Sequence, residues 1–580
     1  MSYLDFPRLN FKGYFQADVS TVNNRVDNFN IDTFDPGNQE LHPDYIKNGN
    51  WNPVGTGVFR LIDCRVTGGC LDGRAIDPAD PVMGMLLENA DQRVSGKLVD
   101  LDPQQQMVSQ IWGMKVRLAQ DGNLALFDGE YEPAAFINLW PRQKHSTAPD
   151  DQTLAAVYQS ILHNVHWHGH GGSALLEALQ HASAKGGLSI NMNVYGYGRD
   201  PNIPRYTLGH VVGSIGPYHP NEPKHFVLGR QMVSAAAIFS DTDVYSFAAK
   251  VDEQKHIVSA DFGNALQIID ANSGLLDIGT LSLAVCKDAN AGVLSSVTPD
   301  QVEILGNLDY QQAEWYARTA GIQEFDYSAN PWVVSNIGSH PLLLLGALAG
   351  GAYPVKIQES LDGLYVRADN FVCRINPGAK SVVDLYATRY GRRLGQAEVS
   401  IYSNQGVIGV TGTNPVKPKQ PVPETCIPTD AISYPAQVQT DHHGKAALEI
   451  TAAAEGPGNP RGYIDGQLYG VGYSLLGQPQ NYIANDWNFI STLIFNLTEV
   501  PEQPTWYQDI QPIFEQYGNL YPIMSKYLVD LGKYDSVVKH LKILELAFSL
   551  PAENPNYMPV TRDLSDHKRE MILKWMRSPD

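Results

Sequence analysis

The sequence predicts a mainly β protein, with antiparallel sheets arranged as sandwiches or as barrel-like sheets, and with a helical segment at its C-terminal end. Up to about residue 500, short apolar or β-branched runs alternate with polar residues and end at Gly, Pro, Asn or Asp, as in "GVFRLIDCRV" and "LSINMNVYGY". That pattern indicates strands joined by turns. After about residue 503, apolar residues recur at spacings of three and four, which predicts helices.

The length of the chain and a proline-rich stretch predict more than one domain. The 580 residues exceed what one hydrophobic core usually supports. We expect an N-terminal β-rich domain over residues 1–270, a second β-rich region over 271–502 and the helical segment over 503–580. Five prolines in "GTNPVKPKQPVPETCIPTD", residues 412–430, predict an interdomain linker or an exposed loop.

Two stretches carry helix signals of their own. "SALLEALQHASAKGG" interrupts the strand pattern and predicts a helix that Ser173 caps, because Ala and Leu favour helix and the closing glycines end it. Near the C-terminal end, "DSVVKHLKILELAFSL" predicts a helix that Asp535 caps.

The net charge and the cysteines limit which partners and which cellular compartment we expect. A net charge of −20 would repel nucleic acid and anionic membranes, so we expect neither as a partner. We find no leader pattern and no run of the ~20 apolar residues that span a bilayer. The five cysteines form no C-x-x-C pair. We therefore expect a soluble, cytoplasmic protein with free buried thiols, although Cys64 and Cys70 could close a hairpin if oxidised.

The stretch "HNVHWHGHGG" places His163, His166, His168 and His170 within eight residues. In an extended chain His166, His168 and His170 point to one face, because side chains alternate along a strand. We predict these three as metal ligands, since neutral imidazole suits copper, zinc or iron, or as proton-transfer groups, and His163 as a cofactor-binding residue. The alternative is a polar, Gly-rich loop that leads into the following helix, with solvated imidazoles and Trp167 as its anchor.

The segment "HWHG" is similar to the first copper motif of multicopper oxidases. Such an enzyme also needs further His-x-His pairs for its trinuclear cluster and a cysteine between histidine ligands for its electron-entry copper. The sequence contains neither. Haem needs only one histidine ligand, so we expect haem, or an iron or copper ion, as the cofactor.

A second candidate site lies in "RYTLGHVVGSIGPYHPNEPKHFVLGR", residues 205–230. We predict His210 and Arg230 as catalytic residues, with the planar guanidinium of Arg230 recognising a substrate carboxylate. The alternative is a pair of strands joined by a Pro-Gly loop.

Both ends of the chain resemble one family. "SYLDFPRLNFKGYFQADVSTVNN", residues 2–24, is similar to the N-terminal end of the VioB family, the iminophenyl-pyruvate dimer synthases and related chromopyrrolate synthases. "YPIMSKYLVDLGKYDSVVKHL" and "NYMPVTRDLSDHKREMILKWM" are similar to the helical segment that closes the N-terminal half of those proteins. "SQIWGMKVRL" and "GHVVGSIGPY" occupy matching places between these ends.

The resemblance implies a VioB-like protein of secondary metabolism, a haem- or metal-dependent oxidoreductase that acts on imines derived from aromatic amino acids. Family members continue into a ferritin-like domain with metal ligands, whereas this chain stops at Asp580 and has no paired Glu-x-x-His motif. We expect either such an enzyme, with a small aromatic substrate, or a non-catalytic β-rich binding or assembly module that works with a separate ferritin-like partner protein. Homo-oligomerisation stays open.

Overall fold

Three β-rich units follow one another along the chain and lead into a helical C-terminal segment. The computed structural model describes residues 2–18, 55–90, 96–102, 108–120, 124–144, 152–184, 186–198, 200, 202–234, 242–405, 425–462, 464–478, 488–521 and 528–580. Over these residues, the predicted mainly β class with barrel-like sheets and a helical C-terminal segment is confirmed.

The first unit contains a closed ring of antiparallel strands. Thirteen strands of the described ranges form its sheet: β1 (Arg8–Asp18), β2 (Val58–Leu71), β3 (Arg74–Ala75), β4 (Leu86–Asn89), β5 (Gly96–Asp100), β6 (Ser109–Trp112), β7 (Lys115–Gln120), β8 (Leu124–Tyr131), β9 (Ala134–Ala135), β10 (Ile137–Pro141), β11 (Leu154–Trp167), β12 (Leu188–Tyr195) and β13 (Leu208–Pro217). The ring runs β1-β2-β4-β7-β8-β11-β12-β13 and closes because β13 pairs with β1.

Strand β12 shows how residue alternation builds this ring. Its apolar residues join the core that the ring encloses, and the polar residues between them lie on the outer side. The apolar set is Leu188, Ile190, Met192 and Val194, and the polar set is Ser189, Asn191 and Asn193. The polar set is buried as well, because the second unit covers it: the Asn191 amide donates to Asp261 at 3.2 Å.

The predicted helix after the His-rich stretch is confirmed as α1 (Ala174–Ser183). The Ser173 side chain accepts a hydrogen bond from the Leu176 amide at 3.2 Å, which caps the first turn. Leu175, Leu176 and Leu179 pack into the core of the ring. The helix therefore belongs to the first unit.

The prediction of free buried thiols is confirmed, since all five cysteines are buried and unpaired. The alternative of a Cys64–Cys70 hairpin is wrong, because both residues belong to one continuous strand, β2. Burial raises the pKa of both thiols to about 12. Both are therefore protonated at neutral pH.

The second unit packs two antiparallel sheets around one core. Its strands are β14 (Arg230–Met232), β15 (Phe247–Asp252), β16 (Ile257–Asp261), β17 (Ser282–Cys286), β18 (Ser296–Val297), β19 (Val302–Asn307), β20 (Ile322–Asp326), β21 (Leu342–Leu345) and β22 (Tyr353–Gln358). Its short helices are α2 (Trp315–Thr319), α3 (Pro331–Asn336) and the 3-10 turn Pro299–Gln301. Because β16 and β17 share this core, the predicted boundary near residue 270 falls inside a unit.

The third unit also encloses one core between two sheets. Its strands are β23 (Leu364–Ala368), β24 (Val372–Ile375), β25 (Lys380–Arg389), β26 (Arg392–Arg393), β27 (Glu398–Ser403), β28 (Ile432–Ser433), β29 (Gln437–Gln439), β30 (Lys445–Ala452), β31 (Gln467–Leu475) and β32 (Ile490–Ile494), with 3-10 turns at Leu361–Gly363 and Thr429–Ala431. Strands β24 and β32 run parallel. Residues 412–424 of the predicted linker lie outside the described residues.

The C-terminal segment consists of a π-helix (Trp506–Ile510) followed by α4 (Gln511–Leu520), α5 (Tyr534–Lys539), α6 (Leu541–Ser549) and α7 (Asp566–Arg577). The predicted Asp535 cap is wrong: Lys533 is the N-cap, Asp535 lies in the first turn, and the helix ends before His540. Among the helices that the structure describes, none has the length and apolar character needed to cross a membrane.

Candidate functional site

The histidines of the His-rich stretch lie at and beyond the end of β11. His163 and His166 belong to the strand, which ends at Trp167, whereas His168 and His170 lie in the connection to α1. The alternation that would align three imidazoles on one face therefore stops after His166. The Trp167 ring packs against the core of the ring of strands and anchors the connection.

Asp128 on β8 contacts two of these imidazoles. Its carboxylate oxygens lie 2.8 Å from His168 Nε2 and 3.7 Å from His166 Nδ1, and Lys115 Nζ lies 2.5 Å away. Burial alone would raise the pKa of this carboxyl, but the hydrogen bonds from His168 and Lys115 lower it below its ordinary value. The arrangement is an ion-pair cluster on the surface of the ring.

The remaining two histidines have separate partners. His163 Nε2 lies 3.6 Å from a Glu132 carboxylate oxygen, and His170 hydrogen-bonds the Gln180 side chain on α1. In the part of the chain that the structure describes, no group of three or more His, Cys, Asp or Glu side chains is placed to hold a metal ion. Metal and cofactor binding by this stretch stay predictions from the sequence.

Arg230 begins β14 and is fully engaged by the protein itself. Its guanidinium and the Glu359 carboxylate form a two-point ion pair in which each side chain is 1% exposed. The same guanidinium donates to the carbonyl oxygens of Ile337 at 2.7 Å and His340 at 2.6 Å, and it lies 5.1 Å from the Tyr390 ring. The carboxylate that this planar group recognises is therefore Glu359, which ties β14 to the end of β22.

His210, the other predicted catalytic residue, lies on the outer face of the ring of strands. The register of β1, β12 and β13 places it beside Tyr14 and Tyr195. Its ring stacks on Tyr195, with centroids 5.2 Å apart and planes at 14°, and contacts Tyr14 at 5.0 Å. Three neighbouring strands of the sheet, β1, β13 and β12, thus present one row of aromatic rings.

This row forms one wall of a cleft with a volume of about 480 Å³, a size typical of small-molecule sites. Two loops of the second unit and the start of α2 form the opposite wall. The lining residues are Lys12, Tyr14, Tyr195, His210, Ala271, Asn272, Gly274, Leu275, Asp277, Tyr310, Gln311, Gln312, Ala313, Glu314, Tyr316 and Ala317. Arg230 is not among them, so the structure does not bring the two predicted catalytic residues together.

Partly buried hydrogen bonds hold two of the four cleft tyrosines in place. The Tyr310 hydroxyl donates to the Gly279 carbonyl at 2.6 Å, and the Tyr316 hydroxyl donates to the Gly263 carbonyl at 2.7 Å. The buried Arg142 guanidinium lies 5.2 Å from the Tyr316 ring and also 5.2 Å from the Tyr195 ring. This preorganisation means that the rings lose little freedom when a ligand binds.

His210 is uncharged at neutral pH. Burial, together with the positive charge of Arg205, lowers the pKa of its imidazole to about 4. Its Nε2 atom is buried without a hydrogen-bond partner. The Asn272 side chain, which also lines the cleft, interacts with the imidazole. His210 thus contributes an aromatic surface to the cleft without contributing a charge.

The charges of the cleft come from Lys12 on one wall and from Asp277 and Glu314 on the other. Asp277 accepts hydrogen bonds from the Gly279 amide at 2.9 Å and from the Gln311 side chain at 2.6 Å, which lower the pKa of its carboxyl. Glu314 has a left-handed backbone, with φ of 61°. Two carboxylates and one ammonium give the cleft a net negative charge.

His210 was predicted from the sequence, but the four tyrosines of the cleft were not. Tyr14 and Tyr195 occupy positions on their strands that alternate with core residues, which is the one local signal of an aromatic row on the outer face. Tyr310 comes from a loop and Tyr316 from α2, both about 100 residues away in sequence from the closer wall strand, β13. No spacing rule connects them to His210.

Comparisons with known proteins identify no family. Neither a protein-family profile nor a curated protein matches the chain. Among solved structures, it is similar to domains 4 and 5 of the S-layer protein SbsC (8% identity, TM-score 0.14), covering 27% of this chain and 65% of that one. It is also similar to the D0-D1 domain of intimin (9% identity, TM-score 0.15), covering 42% of this chain and 89% of that one. TM-scores this low support no inference.

Proposed function

We propose that the protein binds a small aromatic amine or imine in the tyrosine-lined cleft beside His210. The observation that carries this proposal is the combination of four tyrosine rings and one neutral imidazole with two carboxylates in one cleft of about 480 Å³. Aromatic rings stack on one another in offset or edge-to-face geometry, and the faces of tyrosine rings attract cations. A ligand with a flat aromatic ring and a protonated nitrogen makes both the stacking contact and the cation contact.

The charges favour a ligand with a positive end and a negative end. Asp277 and Glu314 attract an ammonium or iminium nitrogen, and Lys12 on the facing wall attracts a carboxylate. Because the pKa of His210 is about 4, its imidazole adds no positive charge that would repel the nitrogen. An imine derived from an aromatic amino acid has this distribution, and it is the substrate class that the VioB-like termini imply.

The experiment compares tryptamine with indole-3-acetate, which share an indole ring and differ in the sign of their charge. We expect calorimetric titration to show tighter binding of tryptamine to the wild-type protein. The double variant Asp277→Asn, Glu314→Gln should weaken tryptamine and leave indole-3-acetate unaffected or improved. Equal affinities for the two compounds, or none for either, would overturn the proposal.

Tyr14 tests the aromatic wall without disturbing the core, because 43% of its surface is exposed. Tyr14→Ala should weaken tryptamine binding about two- to tenfold, which corresponds to one aromatic contact. Tyr507→Ala is the matched control, since that tyrosine is 75% exposed and lies on the π-helix. A similar loss in both variants would argue against a stack at the cleft.

We propose that the protein acts on the bound imine in the cytoplasm, as part of secondary metabolism. The oxidative coupling of such imines that the resemblance implies removes electrons, and a bound redox cofactor would have to accept them. Haem, or an iron or copper ion, is the cofactor that the resemblance implies. In the part of the chain that the structure describes, no group of three or more His, Cys, Asp or Glu side chains is placed to hold a metal ion, whereas haem needs only one axial histidine. An absorbance spectrum with elemental analysis of the untagged protein tests for haem, iron or copper.

The second proposal, a non-catalytic module that supports a separate ferritin-like chain, makes a different prediction. If the module binds the aromatic compound only to deliver it, the isolated protein shows tryptamine binding but no turnover, and turnover appears when a ferritin-like chain is added. Turnover of an aromatic imine by the isolated protein would favour the enzyme.

A further inference from the structure

A second cavity, with a volume of about 50 Å³, lies where the three β-rich units meet. The first unit contributes Gln159 and Asn193, the second contributes Asp261 and Asn264, and the third contributes Arg367. None of these residues lines the His210 cleft. The cavity is therefore a separate feature, and its walls are polar although it lies in the interior.

Arg367 on β23 is the cation of this cavity and is only 4% exposed. Its Nη1 lies 3.3 Å from the Tyr365 hydroxyl, and the guanidinium lies 5.9 Å from the Phe226 ring. Its Nη2 is buried without a hydrogen-bond partner. No carboxylate of the described residues pairs with it. Arginine cannot release its proton in a protein, so this side chain places inside the molecule a positive charge that has no ion-pair partner among the described residues.

Amide side chains extend the set of unused hydrogen-bonding groups. Gln159 Nε2, both polar atoms of the Asn193 amide and Asn264 Oδ1 are buried and have no hydrogen-bond partner. These three residues are at most 4% exposed. Buried polar groups in proteins are normally paired with protein or water, so several orphaned groups around one cavity indicate an occupant that supplies the missing partners.

The carboxylate in the cavity wall, Asp261, does not serve as the partner of Arg367. It accepts hydrogen bonds from the Tyr3 hydroxyl at 2.6 Å, the Gly263 amide at 2.8 Å and the Asn191 side chain at 3.2 Å. Burial raises the pKa of its carboxyl. Its own donors satisfy this group, and the positive charge of Arg367 stays unmatched.

The size of the cavity limits the occupant. A volume of about 50 Å³ holds about three to five water molecules at roughly 10–15 Å³ each, and therefore an organic molecule of about as many non-hydrogen atoms. Water would satisfy the amides but would bring no charge to Arg367. A planar carboxylate matches the two-point geometry of a guanidinium and brings the missing charge.

We propose that this cavity is a binding site for a carboxylate of one or two carbons, of the size of acetate, with Arg367 as its charge partner and Gln159 and Asn193 as amide donors. The site is independent of the aromatic ligand proposed for the His210 cleft. Binding of the carboxylate to the folded protein alone stabilises the junction of the three units by mass action.

The experiment measures the thermal unfolding midpoint of the full chain in carboxylate-free buffer while acetate, acetamide or chloride is added at constant ionic strength. Acetamide has the shape of acetate without its charge. We expect acetate to raise the midpoint with a saturable dose dependence, whereas acetamide and chloride do not. Equal shifts with acetate and acetamide, or no shift with acetate, would overturn the proposal and leave a water-filled cavity.

The variant Arg367→Met assigns the effect to this site. We expect its apparent Kd for acetate to rise about 10- to 100-fold, the usual loss for a charged hydrogen bond. Arg389→Met is the matched control, because Arg389 belongs to the same sheet but is exposed, and it should respond to acetate as the wild-type protein does. If Arg367→Met keeps the wild-type acetate response, the site is elsewhere and the proposal is wrong. If that variant does not fold, NMR titrations of the wild-type protein with ¹³C-labelled acetate and with ¹³C-labelled acetamide replace it. Binding of acetate alone supports recognition of the charge, and equal binding or no binding overturns the proposal.

Discussion

Arg230 and Arg367 are buried to nearly the same extent, at 1% and 4% exposed, yet their surroundings differ. Arg230 has the Glu359 carboxylate and two carbonyl oxygens as acceptors. Arg367 has one tyrosine hydroxyl, one aromatic face and an unpartnered Nη2. The difference teaches that burial alone does not make an arginine structural or functional. A compensated charge holds two segments together, and an uncompensated one marks a place for a ligand.

The largest effect we expect comes from removing the compensated charge. Arg230→Met should lower the free energy of unfolding by about 3–5 kcal/mol, because it leaves the Glu359 carboxylate buried and unpaired. Urea unfolding measures this loss. The double variant Arg230→Met, Glu359→Leu should recover much of it, since both charges are then gone. A loss below about 1 kcal/mol for the single variant would contradict the view that Arg230 stabilises the fold by compensating the Glu359 carboxylate.

Arg367→Met should change stability in the opposite direction. In carboxylate-free buffer we expect the free energy of unfolding to rise by about 1–3 kcal/mol, because the variant keeps an apolar stem and removes an unpaired buried charge. The exposed Arg389→Met variant should stay within about 0.5 kcal/mol of the wild-type protein. A clear destabilisation by Arg367→Met would show that the guanidinium has a partner after all.

His210 sharpens the comparison, because a buried imidazole, unlike a guanidinium, can stay neutral. Its folded-state pKa of about 4 lies below the ordinary value of 6.5, so the unfolded chain takes up the proton first as the pH falls. Relative to His210→Phe, the wild-type protein should lose stability from about pH 6.5 down to about pH 4, and lose nothing further below that. Unfolding midpoints of both proteins across this range measure the effect, and a parallel pH dependence would contradict it.

The smallest effect concerns the exposed histidines beside Asp128. His166 and His168 are 67% and 47% exposed, so alanine at either position should change the free energy of unfolding by less than about 1 kcal/mol. The lowered pKa of Asp128 stabilises the protein above the ordinary value of 3.8, and this contribution disappears as the pH falls through the folded-state pKa. An NMR titration of the Asp128 carboxyl should show its pKa rising in His168→Ala and staying low in an unrelated surface variant.

Local patterns accounted for much of the fold. Period-two alternation predicted the β class, the Ser173 cap predicted α1, and spacings of three and four predicted the C-terminal helices. The Asp535 cap failed because the helix begins one residue earlier, at Tyr534, with Lys533 as its N-cap. The run also breaks at His540 into α5 and α6, which the apolar spacing does not reveal. Such features depend on neighbours in the chain, and a single sequence therefore carries them.

The candidate sites are formed by residues that lie far apart in the sequence and close together in space, and no local pattern encodes that proximity. The polar residues Asn191 and Asn193 alternate with core residues as if they faced water, and the second unit buries them. His210 was predicted, but the tyrosines of its cleft come from widely separated segments. Most strands and helices follow from local sequence patterns, because backbone propensity and side-chain periodicity act between near neighbours. The tertiary structure alone decided which buried arginine has a carboxylate partner, because charge compensation depends on proximity in space.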